Sequence, residues 1–196
     1  MENNIGLLLS KRAIINPDRE AYVDGKTGSR ISFAELNVRS NRLANALKEL
    51  GVQPGDRVAL ALMNSVEFIE AFFAIAKIGG VIVPLNWRLV PNELEFILKD
   101  SGAKTIVFGE QFVDMMKDLH DRGEKTHVEN WIQVAANSRE ADFFQDYDQF
   151  RDAADDLQPE ILGKDDDLLF IMYTSGTTGL PKGVVHSHHT CMWALI

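Results

Sequence analysis

Cysteine is nearly absent from the sequence, since Cys191 is the single one among 196 residues. One thiol excludes an internal disulfide framework and fits a protein of a reducing compartment. A long apolar run is also absent, because Lys77 and the glycines at 79–80 interrupt the most apolar stretch, residues 71–85. The apolar run at residues 5–9 is too short for a signal peptide, and its neighbouring basic residues follow it rather than precede it. The sequence therefore predicts a cytoplasmic protein without a transmembrane segment.

Basic residues are in deficit: 20 Lys and Arg face 29 Asp and Glu, which leaves a formal net charge of −9. A chain with no basic field to offset phosphate charge is not expected to bind nucleic acid. The same charge disfavours nucleotides at long range. Any nucleotide affinity must therefore be local, made by one loop together with a divalent cation.

Alternating strand and helix patterns fill the middle of the chain. Short apolar runs at residues 57–62, 81–85, 104–108 and 131–134 read as strands, and helical patterns separate them. Such alternation with short links predicts an α/β fold, a parallel sheet flanked by helices on both faces. We expect an α/β subdomain over residues 57–185.

The first 56 residues have a different pattern, which predicts a helix, a hairpin and a second helix. Ser32 and Glu35 are spaced for a capping box at the start of that second helix. Between residues 138 and 167 lie eleven acidic and three basic residues, a composition typical of a solvated face or linker. Aromatic residues at 143, 144, 147 and 150 recur at helical intervals there, which predicts a surface helix docked by its aromatic side chains.

The most informative stretch is residues 173–183, YTSGTTGLPKG, which follows an apolar strand pattern. Glycines let a backbone approach a ligand closely, successive N–H groups form a concave nest for phosphate oxygens, and hydroxyls add donors. Lys182 adds a compact positive charge. The common nucleotide P-loop pattern does not fit, because Pro181 and Gly183 stand where it needs glycine and a hydroxyl. A plain turn between two strands is the alternative, but the ordered string favours a phosphate-binding loop.

This stretch resembles the phosphate-binding signature of the adenylate-forming superfamily, which includes acyl-CoA synthetases, luciferases and the adenylation domains of peptide synthetases. The resemblance implies that the chain is an incomplete N-terminal domain of that fold. It implies a ligase that uses ATP, Mg²⁺ and coenzyme A to convert a carboxylic acid, as in fatty-acid–CoA ligases, into an acyl-adenylate and then a thioester. The residues that it implies for phosphate binding are Thr174, Ser175, Gly176, Thr177, Thr178, Gly179 and Lys182.

His188 matches, by the same resemblance, the family histidine that borders the acyl pocket and thiol tunnel. Local polarity at a helix start is the alternative for His188 and its neighbours His186 and His189. No metal site is predicted, because ligands at zinc spacing are absent from the sequence nearby. Cys191 has no identifiable base partner and reads as a buried small residue.

The resemblance also implies what this chain lacks. The magnesium-binding glutamate, the ribose-binding aspartate and the C-terminal domain with its adenylating lysine would lie beyond residue 196, so no catalytic residue is assigned here. Residues 186–196 would begin the next subdomain, and residues 1–56 would pack toward its missing bulk. We therefore expect the 196 residues alone to be inactive and to self-associate. Two alternatives stay open: a naturally short phosphate- or nucleotide-binding protein, and another type of adenylate-forming enzyme.

Overall fold

The computed structural model describes residues 4–135, 143–174 and 180–194. Seven α-helices and nine β-strands lie within these ranges, together with two 3-10 turns at residues 110–112 and 123–125. The helices are α1 Gly6–Ile15, α2 Phe33–Glu49, α3 Val66–Lys77, α4 Pro91–Ser101, α5 Val113–Asp121, α6 Tyr147–Asp152 and α7 His188–Trp193. The strands are β1 Glu20–Val23, β2 Arg30–Ser32, β3 Arg57–Ala61, β4 Val81–Pro84, β5 Thr105–Gly109, β6 Asn130–Val134, β7 Gln145–Asp146, β8 Leu168–Thr174 and β9 Lys182–Ser187.

Seven of the strands form one sheet in the order β7-β6-β5-β3-β4-β8-β9. Every pairing in it is parallel except that of β9, which runs antiparallel to β8 at the edge. The connections from β3 to β4, from β4 to β5 and from β5 to β6 each contain a helix, because a parallel crossover needs a long connection. The predicted parallel sheet is confirmed, and the β8–β9 hairpin forms one edge of it.

The two faces of the sheet carry separate hydrophobic clusters, because successive strand residues point to opposite sides. On one face, Val58 and Leu60 of β3 pack with residues of α2, α3 and α6. On the other face, Ala59 and Ala61 pack with residues of α4 and α5. The sheet is therefore covered by helices on both sides, as the alternating pattern predicted.

The N-terminal elements add to the first of these helical layers. β1 and β2 pair as an antiparallel hairpin, and α2 begins with the predicted capping box. The Ser32 hydroxyl accepts from the Glu35 N–H at 3.2 Å, and the Glu35 carboxylate accepts from the Ser32 N–H at 2.8 Å. Helices α1 and α2 both pack against α3. None of the helices in the described ranges has the length and apolarity needed to cross a bilayer.

A buried carboxylate joins three helices of this layer. Glu70 of α3 has no exposed surface and contacts Arg39 of α2. It also accepts from the Tyr147 hydroxyl of α6 at 2.8 Å and pairs with Arg151 at 3.4 Å. Burial raises the pKa of Glu70, and the two arginines oppose that rise. These partners compensate for the loss of water around the carboxylate.

The helix predicted from the aromatic spacing at residues 143–150 is shorter than that spacing indicates. It is α6, which begins only at Tyr147, because Asp146 caps it by accepting from the Gln149 N–H at 2.8 Å. Phe143 and Phe144 precede the helix and pack against Phe108 of β5, with ring centroids 6.2 and 6.0 Å away. The aromatic residues do serve packing, but two of the four do so from a non-helical segment.

Candidate functional site

The predicted phosphate-binding loop connects β8 to β9 at the carboxyl end of β8. Thr174 ends β8, Lys182 begins β9, and the two are direct partners in the antiparallel ladder. Both residues are exposed. Open α/β sheets bind ligands at the carboxyl ends of their strands, so the hairpin presents a hydroxyl and an ammonium group where a ligand is expected.

Most of the loop lies outside the described residues. Of the seven residues predicted to bind phosphate, the structure describes Thr174 and Lys182, which flank the loop. The other five are Ser175, Gly176, Thr177, Thr178 and Gly179, and all of them fall in the range that is not described. Phosphate binding by the seven residues therefore stays a prediction, and its two described members lie at the carboxyl end of β8 and the amino end of β9.

The outer face of this hairpin is open. β9 is an edge strand, and its Val184 and Val185 are 45% and 58% exposed. On β8, Met172, the ladder partner of Val184, is exposed as well. Exposed apolar side chains are unusual on an edge strand, because such an edge can pair with another chain.

His188 lies at the opposite end of the hairpin from Lys182. The residue before it, Ser187, pairs with Leu168 at the amino end of β8, so His188 is separated from the loop by the full length of β9. Its side chain is 0% exposed, and its Nδ1 accepts from the Ile5 N–H at 3.1 Å. The structure thus does not bring His188 together with Thr174 and Lys182, and its role beside an acyl pocket stays a prediction.

The protonation state of His188 follows from these contacts. Burial lowers the pKa of its imidazole, although Asp167 and Asp165 oppose that shift. The ring is therefore neutral at pH 7, and because Nδ1 is an acceptor, the proton resides on Nε2. Nε2 has no hydrogen-bond partner among the described residues.

Asn4 is a buried polar residue that the sequence pattern did not single out. Its Oδ1 accepts from the Gly6 N–H at 2.7 Å, at the first turn of α1. Its amide nitrogen also reaches the carbonyl oxygens of Leu162 at 2.7 Å and Gly163 at 3.3 Å, about 160 residues along the chain. We call Asn4, Ile5, Gly163 and His188 the anchor cluster. It ties the start of the chain to the segment before β8 and to the end of β9.

The remaining candidates have packing contacts. Burial raises the pKa of the Cys191 thiol, which disfavours the reactive thiolate. His186 stacks on Phe170 with ring centroids 4.5 Å apart, and the ring centroids of His189 and Trp193 are 6.1 Å apart. Within residues 4–135, 143–174 and 180–194, no three His, Cys, Asp or Glu side chains are grouped so as to hold a metal ion.

Known proteins are similar to this chain in sequence and in fold. FadD13, a long-chain-fatty-acid–CoA ligase of Mycobacterium tuberculosis, is 43% identical over 188 residues, which are 95% of this chain and 35% of the ligase. The inhibitor-bound N-terminal domain of FACL13 from Mycobacterium tuberculosis matches with a TM-score of 0.84 and 42% identity, covering 96% of this chain and 45% of that one. The anthranilate-CoA ligase AuaEII, solved with anthranoyl-AMP, matches with a TM-score of 0.87 and 26% identity, covering 96% of this chain and 35% of that one.

The chain spans about a third of the length of the curated relatives that it matches. The similar solved structures are acyl-CoA ligases and their N-terminal domains, which confirms the predicted fold class. The family model for AMP-binding enzymes matches residues 9–196, nearly the whole sequence. This chain belongs to the family of AMP-binding enzymes.

Proposed function

We propose that the protein is an ATP-dependent ligase that joins a carboxylic acid to coenzyme A. In the first step, a carboxylate oxygen bonds to the α-phosphorus of ATP, the bond to pyrophosphate breaks, and an acyl-adenylate forms. In the second step, the thiol sulfur bonds to the acyl carbon, the bond to AMP breaks, and the thiol proton passes to solvent. The relatives named as long-chain-fatty-acid–CoA, feruloyl-CoA and 2-succinylbenzoate–CoA ligases support this chemistry.

The observation that carries the proposal is the β8–β9 hairpin. It holds Thr174 and Lys182 as ladder partners on either side of a loop of small, hydroxyl-bearing residues, at the carboxyl end of a strand. Adenylation requires that the β- and γ-phosphates be held in place while charge grows on the leaving pyrophosphate. Donors on a hairpin can meet that requirement with backbone N–H groups, hydroxyls and one ammonium.

Each site residue has a role in this proposal. Lys182 would neutralise charge on the leaving phosphates, and the hydroxyls of Thr174, Ser175, Thr177 and Thr178 would donate to their oxygens. Gly176 and Gly179 would let the loop backbone approach them. A hydroxyl and ammonium donor set suits phosphate rather than a bare metal ion. Mg²⁺ bound together with ATP would supply further charge neutralisation.

We make finer proposals on the acid substrate, on the activity and self-association of these 196 residues, and on the location of the protein in the cell. The relative at 43% identity is named as a long-chain-fatty-acid–CoA ligase, so we propose a fatty acid as the substrate. Because the chain spans about a third of such relatives, we propose that these 196 residues alone form no adenylate. We also propose that they self-associate through exposed apolar surface, which includes Ile14 and Ile15 within residues 1–56 and Val184 and Val185 of β9. A cytoplasmic location stays a prediction.

Carboxylate-dependent ATP–pyrophosphate exchange tests the proposal. The protein expressed from its complete reading frame is assayed with saturated fatty acids of several lengths and with aromatic acids. We expect exchange with at least one fatty acid, and we expect Lys182→Ala to slow it about 100-fold, the typical cost of removing one donor to a developing charge. Lys104→Ala is the matched control, since Lys104 is exposed and directly precedes β5, at the amino end of that strand and away from the β8–β9 hairpin.

Each outcome separates the alternatives. No exchange with any acid, but retained ATP binding, would favour a phosphate-binding protein without catalysis. Exchange without coenzyme A-dependent release of AMP would identify another kind of adenylate-forming enzyme. Equal exchange rates for Lys182→Ala and the control would remove Lys182 from the mechanism.

A further inference from the structure

A hydrogen bond connects the base of the phosphate loop to a helix outside the loop motif. The Tyr173 hydroxyl, one residue before the end of β8, donates to the Asp100 carboxylate at 2.6 Å. Asp100 lies in the last turn of α4. Partial burial, together with the hydrogen bond to Asp100 and its negative charge, raises the pKa of Tyr173, so the hydroxyl keeps its proton and is the donor.

The Tyr173 ring packs close to Gly183 of β9. Tyr173 and Gly183 are ladder partners, and a Cβ atom added to Gly183 would meet the Tyr173 ring at 3.2 Å and the Ile171 side chain at 2.9 Å. The second distance is shorter than real Cβ contacts allow. Gly183 is therefore glycine because the neighbouring side chains of β8 occupy the space that its own side chain would need.

This contact is immediately next to the two described phosphate-loop residues. Thr174 follows Tyr173 on β8, and Lys182 precedes Gly183 on β9. A ring that is pressed on Gly183 and fixed at its hydroxyl restricts how far the two strands can shift or splay at this level. The positions of the Thr174 and Lys182 backbones then depend on the orientation of the Tyr173 ring.

The other end of the hydrogen bond is well supported. Helix α4 buries Leu94, Ile97 and Leu98 in the cluster on its face of the sheet. It ends at Gly102, whose left-handed conformation, with φ of 65°, closes the helix. Asp100 is thus carried by a packed helix, while its carboxylate reaches the surface beside Tyr173.

We propose that Asp100 is a positioning residue for the phosphate loop and acts through the Tyr173 hydroxyl. The helix holds Asp100, Asp100 holds Tyr173, and Tyr173 sets the spacing of β8 and β9 where Thr174 and Lys182 flank the loop. Small displacements of groups that orient a substrate have large kinetic effects. The inference rests on the proposed function, since it assigns Asp100 to the handling of ATP.

The test uses four variants of the protein expressed from its complete reading frame. Asp100→Ala removes the acceptor, and Tyr173→Phe removes the donor but keeps the ring over Gly183. Asp100→Asn keeps an oxygen that can accept from Tyr173, and the double variant joins Asp100→Ala with Tyr173→Phe. Glu129→Ala is the control, because it removes one exposed negative charge directly before β6, four strands away from β8 in the sheet.

We expect Asp100→Ala and Tyr173→Phe each to raise the KM for ATP about three- to tenfold, the effect of losing a partly exposed hydrogen bond to a charged group. The KM for the carboxylate and the melting temperature should not change. Asp100→Asn and Glu129→Ala should behave as wild type. The double variant should be no worse than either single variant, because both remove the same interaction.

The outcomes separate this inference from the proposed function. If wild type shows no exchange, the proposed function fails and the inference fails with it. If wild type catalyses ATP–pyrophosphate exchange and Lys182→Ala slows it, but Asp100→Ala has the same KM for ATP as wild type, only the inference is overturned. Asp100→Asn behaving like Asp100→Ala would overturn the hydrogen-bond account. A lower melting temperature with both KM values raised would show a general structural role instead.

Discussion

The two ends of the β8–β9 hairpin differ in what surrounds their polar groups. At the loop end, Thr174 and Lys182 are exposed and have only the backbone ladder between them. At the other end, His188 and Asn4 of the anchor cluster are buried, and each makes a hydrogen bond to the backbone of a distant segment. The buried end of the hairpin is therefore held by polar contacts within the protein, whereas the polar side chains at the loop end are open to solvent and available to a ligand.

Lys77, the last residue of α3, is another buried polar residue near this end of the hairpin. Its ammonium has no exposed surface and donates to Asn37 at 2.7 Å and Asn41 at 2.6 Å. Its backbone carbonyl accepts from the Leu162 N–H at 2.8 Å, next to the anchor cluster. Lys77 and Lys182 are therefore two lysines in opposite settings, one enclosed by amide oxygens and one open to solvent.

The largest expected effect on stability comes from removing the acceptor at the buried end. His188→Leu keeps similar bulk but leaves the Ile5 N–H buried without a partner, which should lower the free energy of unfolding by about 2 kcal/mol. Urea denaturation measures this loss. His189→Leu is the matched control, since His189 is exposed, and it should leave the midpoint unchanged. Equal midpoints for the two variants would contradict the contrast between the ends.

The second effect is a pH dependence that belongs to Lys77. Burial lowers the pKa of Lys77 from 10.5 to about 7, so between these values the unfolded chain binds more protons than the folded one. As far as Lys77 is concerned, the free energy of unfolding is therefore highest above pH 10.5 and falls as the pH falls toward 7. From pH 7 to pH 9 the free energy of unfolding should rise by about 2 kcal/mol from this group alone.

Urea denaturation at several pH values, compared with Lys77→Met, isolates that contribution. Methionine fits a similar volume and does not titrate, so the variant should lack this part of the pH dependence. Parallel curves for the two proteins between pH 7 and pH 9 would show that Lys77 keeps an ordinary pKa in the fold.

The smallest effect on stability is expected at the loop end. Lys182→Ala should leave the denaturation midpoint unchanged, because the side chain is exposed and substitutions at such positions are usually neutral for folding. The same variant is expected to slow exchange strongly. A clear fall in its midpoint would mean that Lys182 supports the hairpin itself, and the kinetic loss would then need a structural explanation.

Local patterns were enough for most of the fold. The capping box at Ser32 and Glu35 was predicted correctly because both partners lie within one helical turn. The four parallel strands at the centre were predicted from apolar runs, and their alternation with helices indicated the parallel sheet. The length of α6 was predicted wrongly, because the pairing of β7 with β6 keeps the residues before Tyr147 extended.

The sequence by itself determined the family, the layered sheet and the position of the predicted phosphate-binding loop in the chain, because each depends on residues close together in the chain. Only the tertiary structure decided that Asn4 binds Leu162, that Ile5 donates to His188 across 183 positions, and that Tyr173 meets Asp100 across 73 positions. No spacing rule connects such pairs, since they meet only when the sheet and its helices have packed. For the same reason, the sequence pattern showed Lys77 only as an interruption of an apolar run. Its burial could not be predicted, because it depends on how α2 and α3 pack.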